Sequence, residues 1–141
     1  MSKGVHLFTV ERTVRVYHHA PQKALVSVWE SFCTADFRSA LMRGIDECQR
    51  LGAKSWIVDM TGDPGVPSQD DQAWIESFNA QNAISKGVKA VINIHGASAL
   101  AKLGARRWSK AANDKGLATY DCSSVEEALE IAAQVASGKA A

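Results

Sequence analysis

Residues 54–59 read Lys-Ser-Trp-Ile-Val-Asp, a short apolar run that follows Leu51-Gly52 and ends in an acid. Such a run, bounded by turn formers, is typical of a strand that is covered on both faces of a sheet. Before it, apolar residues recur at steps of three and four, which predicts a helix from an N-cap at Thr34 to a stop at Gly52. The buried stripe of this helix is predicted to be Phe37, Leu41, Ile45 and Cys48.

Strand and helix patterns continue on both sides of this unit. Alternating residues predict an N-terminal hairpin over 8–16 and a third strand over 24–29, and later strands are predicted over 88–94 and 117–120. Alternation of strands and helices with short connections implies a parallel sheet core. We therefore expect an α/β sandwich with a mixed, mostly parallel sheet, an antiparallel N-terminal hairpin and about four helices, in one domain over residues 1–141.

Serines mark the expected starts of three helices. Ser68, Ser98 and Ser124 each precede a helical pattern and are suited to accept from its first free N–H groups. The helix after Ser68 is expected to carry Ala73, Trp74, Ser77, Phe78, Gln81 and Ile84 on one side. The helix after Ser98 is expected to bear Leu100, Leu103, Trp108 and Ala111 and to end near Gly116.

Composition excludes several classes of protein. The chain has 46% apolar and 22% charged residues and a net charge of +1, which argues against an electrostatic nucleic-acid binder or a disordered charged tail. Three cysteines far apart in sequence form no disulfide framework. No apolar run has the length of a signal peptide or a membrane span. We expect a cytoplasmic domain with no membrane insertion.

Catalytic signatures are missing from the sequence. It contains none of the common phosphate-loop, dinucleotide, serine-hydrolase or zinc-protease motifs. His18 and His19 are adjacent on a predicted strand and so point to opposite faces. Asp59 is interpreted as a turn former, because the other acids and the lysine of a phosphoacceptor site are missing. We expect no enzyme, cofactor or metal. A catalytic role of His95 or a cysteine stays open if a thiol and an imidazole lie within hydrogen-bond reach.

Opposite charges gather on neighbouring elements. Lys102, Arg106 and Lys110 stand at steps of four and predict a basic helix face, while Asp63, Asp70 and Asp71 make the loop and helix before it acidic. One interpretation is the solvated side of an amphipathic helix. The other is a docking surface that steers a partner, and the complementary charges also allow a homodimer.

With this order of elements, the chain resembles the STAS family of sulphate-transporter and anti-sigma-factor-antagonist domains, and most nearly its SpoIIAA-like branch. Over residues 5–137, the resemblance rests on three stretches, namely 52–59, 87–91 and 119–129. They read Gly-Ala-Lys-Ser-Trp-Ile-Val-Asp, then Gly-Val-Lys-Ala-Val, then Thr-Tyr-Asp-Cys-Ser-Ser-Val-Glu-Glu-Ala-Leu.

The resemblance implies a regulatory protein-interaction domain rather than an enzyme. In antagonists of this family a serine at a helix start is phosphorylated, and Ser68 is the residue that matches here, although the usual Asp-Ser-Ser-Gly core is absent. The expected binding region is 61–71 with the adjoining helices, and the expected partner is an anti-sigma-factor-like or kinase-like regulator. The alternative is a small-molecule or lipid-binding module of SEC14 type, in which the four tryptophans line a pocket rather than fill the core.

Overall fold

A six-stranded sheet forms the centre of the structure, a computed structural model that describes residues 4–139. Its strands lie side by side in chain order, β1 (Val5–Val10), β2 (Val14–His19), β3 (Ala24–Trp29), β4 (Ser55–Asp59), β5 (Ala90–Ile94) and β6 (Ala118–Cys122). The first three strands pair antiparallel, and β3 to β6 pair parallel. The predicted mixed sheet with an N-terminal hairpin is therefore confirmed.

Helices connect the parallel strands, and a last helix follows the final strand. They are α1 (Phe37–Leu51), α2 (Gln69–Trp74), α3 (Ala80–Ser85), α4 (Ala99–Asp114) and α5 (Val125–Ser137). A π-helical segment, Ile75–Asn79, joins α2 to α3 without a break, so residues 69–85 form one continuous helix. Within residues 4–139 this makes four helices, as predicted, besides a 3-10 turn at Ala20–Gln22.

Strand β4 separates two hydrophobic cores, and all of its residues are buried. Trp56 and Val58 belong to the larger core, which also contains the inner faces of α1, helix 69–85 and α4. Ile57 points to the opposite face and belongs to the smaller core, which α5 covers through Ala128 and Leu129. The expectation of a strand covered on both faces is confirmed, since alternate side chains of β4 enter different cores.

The start of α1 differs from the prediction. Its buried stripe and its stop at Gly52, where φ is +69°, are as expected. The helix begins at Phe37, however, and Thr34 does not act as its N-cap. The Thr34 hydroxyl instead hydrogen-bonds the hydroxyl of Thr13 at 2.6 Å, which ties the approach to α1 to the β1–β2 hairpin.

Helix 69–85 does not bury the side on which the sequence groups its apolar residues. Phe78 and Ile84 are substantially exposed, while the buried side consists of Gln72, Ile75, Ala80 and Ala83. Gln72, Ile75 and Ala83 follow the helical period as well as the expected apolar side does. The period of 3.6 therefore locates both sides of the helix but does not identify the buried one.

Helix α4 packs through small residues rather than through its leucines. Its buried side contains Ala101, Gly104, Ala105 and Trp108. A Cβ atom at Gly104 would lie 3.1 Å from Cγ1 of Val66, so the glycine permits a close approach of this helix to the loop before α2. As a consequence Leu100 and Leu103 are 65% and 55% exposed.

Gly44 on α1 provides a test of the larger core. A Cβ atom there would overlap the six-membered ring of Trp56. We expect Gly44→Ala to lower the free energy of unfolding by about 1–3 kcal/mol, because overpacking outweighs the gain in helix propensity. Urea denaturation measures this. The same change in a Trp56→Phe background should cost less, since phenylalanine lacks the overlapping atoms; a stabilising effect of Gly44→Ala in the Trp56 protein would contradict this packing.

Candidate functional site at the carboxyl edge of the sheet

Several polar residues gather where the parallel strands end. Asp59 is the last residue of β4, His95 directly follows β5, and Asp121 is the second-last residue of β6. Carboxyl ends of parallel strands meet at one edge of the sheet, which is the usual place for binding sites in α/β folds. Two segments leave this edge towards the helical layer, the loop 60–68 and the start of α4.

Asp59 shapes the beginning of the loop. Its Oδ1 accepts from the backbone N–H of Thr61 at 2.9 Å and from the Thr61 hydroxyl at 2.7 Å. The backbone N–H of Met60 donates to the carbonyl of Ile94 at 2.9 Å, which extends the pairing of β4 with β5. Asp59 is thus a turn former, as predicted, and its side chain is engaged within the protein.

The rest of the loop is held against its neighbours. The N–H of Phe32 donates to the carbonyl of Pro64 at 3.0 Å, and the Cys33 thiol donates to the carbonyl of Val66 at 3.2 Å. Pro64 and Pro67 are buried, whereas residues 61–63 and 68–70 are exposed. The loop therefore presents two short exposed stretches from a fixed backbone.

Ser68 and Ser98 cap the helices that border this edge. The Ser68 hydroxyl accepts from the N–H of Asp71 at 3.1 Å, and the Ser98 hydroxyl accepts from the N–H of Ala101 at 3.1 Å. Both predicted N-caps are confirmed. Ser68 is exposed, so its hydroxyl is reachable from solvent while it caps α2.

The predicted acidic residues differ in their pairing. Asp71 forms an ion pair with Arg38 at 2.6 Å, and the same guanidinium lies over the ring of Trp74. Asp63 and Asp70 are exposed and take part in no ion pair within the described part of the chain. Asp63 also adopts a φ of +54°, in the turn that follows Asp59.

The basic residues of α4 also differ in their pairing. Lys110 pairs with Asp114 one turn later at 3.1 Å, and Arg107 pairs with Glu76 of helix 69–85 at 3.3 Å. Lys102 and Arg106 are exposed, and among residues 4–139 neither has an ionic partner. The opposite charges of the two helices are thus partly neutralised within one molecule.

Leu100 and Leu103 complete this surface. They lie one helical turn apart, and Gly104 beside them contacts the loop near Val66. The cations Lys102 and Arg106 follow on the adjacent strip of the helix. We call these four residues of α4 the α4 ridge. Sequence patterning missed it because the leucines satisfy the expected core spacing.

A histidine–aspartate pair lies at the same edge. The pairing of β5 with β6 brings His95 and Asp121 together. Their atoms Nε2 and Oδ1 are hydrogen-bonded at 2.6 Å. In the described part of the chain no hydroxyl or thiol hydrogen-bonds this imidazole. The Cys122 thiol donates instead to the carbonyl of Ser124 at 3.6 Å, and burial raises its pKa. The thiol–imidazole pair that would favour catalysis is therefore not present among residues 4–139.

The described residues contain neither a cluster of metal ligands nor a membrane-spanning helix. No three His, Cys, Asp or Glu side chains of residues 4–139 come together as metal ligands. Over the same residues, no helix combines the length and the apolar character that crossing a bilayer requires. Comparison with protein-family models, curated proteins and solved structures finds no match for this chain.

The three cysteines should differ in reactivity. Cys33 is exposed beside the loop 60–68, Cys122 is half-buried, and Cys48 is buried in the core, where desolvation raises its pKa strongly. The thiolate is the reactive form. We expect a disulfide reagent at pH 8 to label Cys33 fast, Cys122 more slowly and Cys48 only after unfolding.

The absorbance of the thiolate that the reagent releases measures the extent of labelling. The Cys33→Ser variant should lack the fast phase of labelling and keep the slower one. Labelling of Cys48 in the native chain at the rate of Cys33 would contradict the described core.

Proposed function

We propose that the chain is a non-catalytic, STAS-like regulatory domain that binds a partner protein through residues 61–71 and the α4 ridge. The exposure of Leu100 and Leu103 side by side is the observation that carries this proposal. Adjacent exposed leucines beside a well-held loop are typical of a surface that another protein covers.

The charges around the leucines define the partner. Lys102 and Arg106 have no ionic partner within residues 4–139 and flank the apolar pair. A partner segment with apolar side chains followed by carboxylates would cover the leucines and pair with both cations. Asp63 and Asp70 would face basic residues at the other end of the same partner. An anti-sigma-factor-like or kinase-like regulator with such a segment fits this proposal.

Ser68 supplies a way to regulate binding. Its exposed hydroxyl lies two residues from the unpaired carboxylate of Asp70. A phosphate there would add about −1.5 to −2 charge next to that carboxylate and repel an acidic partner segment. We propose that phosphorylation of Ser68 releases the partner.

Site-specific photocrosslinking tests the surface. With the photoreactive residue benzoylphenylalanine in place of Leu103, we expect a crosslinked adduct in cells of the native host, because the partner covers this position. The same replacement of Glu130, exposed on α5, is the matched control and should give none. The charge reversals Lys102→Glu and Arg106→Glu together should remove most of the adduct, and Ser68→Glu should weaken it.

Mass spectrometry of the adduct separates the possible partners. A second protein that carries an acidic and apolar segment at the crosslink supports the proposal, whereas an adduct of two copies of this chain replaces it with a homodimer. Equal labelling at positions 103 and 130, or no adduct at either, would contradict it.

A further inference from the structure

The larger core contains a cavity of about 50 Å³ between the sheet and the helices α1, 69–85 and α4. Five of its thirteen lining residues are aromatic. Trp29, Phe32 and Phe37 contact one another with ring centroids 5.1–5.8 Å apart, and Phe32 also meets Trp108 at 5.7 Å. Trp56 completes the wall on the side of β4. Three of the four tryptophans thus both fill the core and line a cavity.

The side chains that line the cavity are almost all apolar. Among residues 4–139, no charged side chain lines the cavity, and Asn79 is its amide residue. The Oδ1 atom of Asn79 is buried and has no hydrogen-bond partner in this part of the chain. The indole N–H groups of Trp29 and Trp108 donate elsewhere, to Ser27 Oγ at 3.0 Å and to Asn93 Oδ1 at 3.2 Å. The cavity therefore presents one free acceptor within an apolar surface.

Asn79 is a half-buried residue in an unusual position. It ends the π-helical segment, and Ile75 at the start of that segment lines the same cavity. Buried polar atoms without a partner are costly, and π-helical segments are frequent at functional sites. Gln72 Oε1 and Asn82 Nδ2 on the same helix are also buried, and neither has a hydrogen-bond partner within the described residues. A leucine at position 79 would fill the space without this cost.

We propose that this aromatic cavity is a binding site for a small, uncharged molecule that donates one hydrogen bond to Asn79 Oδ1. A charged ligand is excluded because nothing in the wall would compensate its desolvation. The volume is about one third of the roughly 150 Å³ cavity that accepts one benzene, so the ligand has only a few non-hydrogen atoms. A short alcohol has this size and chemistry, whereas a lipid chain does not fit.

NMR titration of the ¹⁵N-labelled chain tests the site with two probes, 2-propanol, which carries a donor, and xenon, which does not. We expect 2-propanol to shift the indole N–H signals of Trp29 and Trp108 and the Asn79 amide signals in a saturable way. Because Asn79→Ala removes the acceptor and only enlarges the space, it should weaken alcohol binding about three- to tenfold without weakening xenon binding. Gln134→Ala, which changes an exposed amide on α5, is the control and should alter neither.

The wild-type titration decides the proposal even where a variant fails to fold. Linear, non-saturable shifts with both probes would mean that water alone enters the cavity and would overturn the proposal. Saturable binding of xenon without 2-propanol, or alcohol binding that is unchanged in Asn79→Ala, would overturn the assigned role of Asn79. Because these shifts arise in the core, failure here leaves the crosslinking test at the α4 ridge unaffected.

Discussion

Burial of β4 on both faces is the constraint on which the rest of the structure depends. Trp56 and Val58 enter one core and Ile57 the other, so helices must cover both sides of the sheet. At the end of this strand the carboxylate of Asp59 is also buried, and it takes both donors of Thr61 as partners. This requirement turns the chain sharply and places the loop 60–68 at the carboxyl edge of the sheet.

Close packing against that loop then determines what α4 exposes. Gly104 faces Val66, and the helix approaches through its small residues. Larger side chains at the contact would hold the helix away from the loop, so the leucines lie outside it. The same arrangement orients Arg107 towards Glu76 and leaves Lys102 and Arg106 with no ionic partner among residues 4–139. An apolar strip with free cations beside it is thus a consequence of how the scaffold packs.

Local patterns predicted the elements well but not every face. The stripe of α1 and the serine caps depend on neighbouring residues alone, and the structure confirms them. The exposure of Phe78 and Leu103 was not predicted, because the choice of the buried helix face and the close contact of Gly104 with Val66 depend on tertiary packing, which an apolar period does not encode. The pairing of His95 with Asp121 was missed for a related reason, since strand pairing joins residues that are 26 positions apart.

The exposure of the two leucines can be measured directly through stability. We expect the double variant Leu100→Ser, Leu103→Ser to keep its free energy of unfolding within about 1 kcal/mol of the parent in urea denaturation, because exposed positions contribute little to folding. The result that would contradict the account is a loss of about 4 kcal/mol or more, as truncation of two buried leucines gives. These leucines would then belong to the core, and the proposed binding surface would not exist.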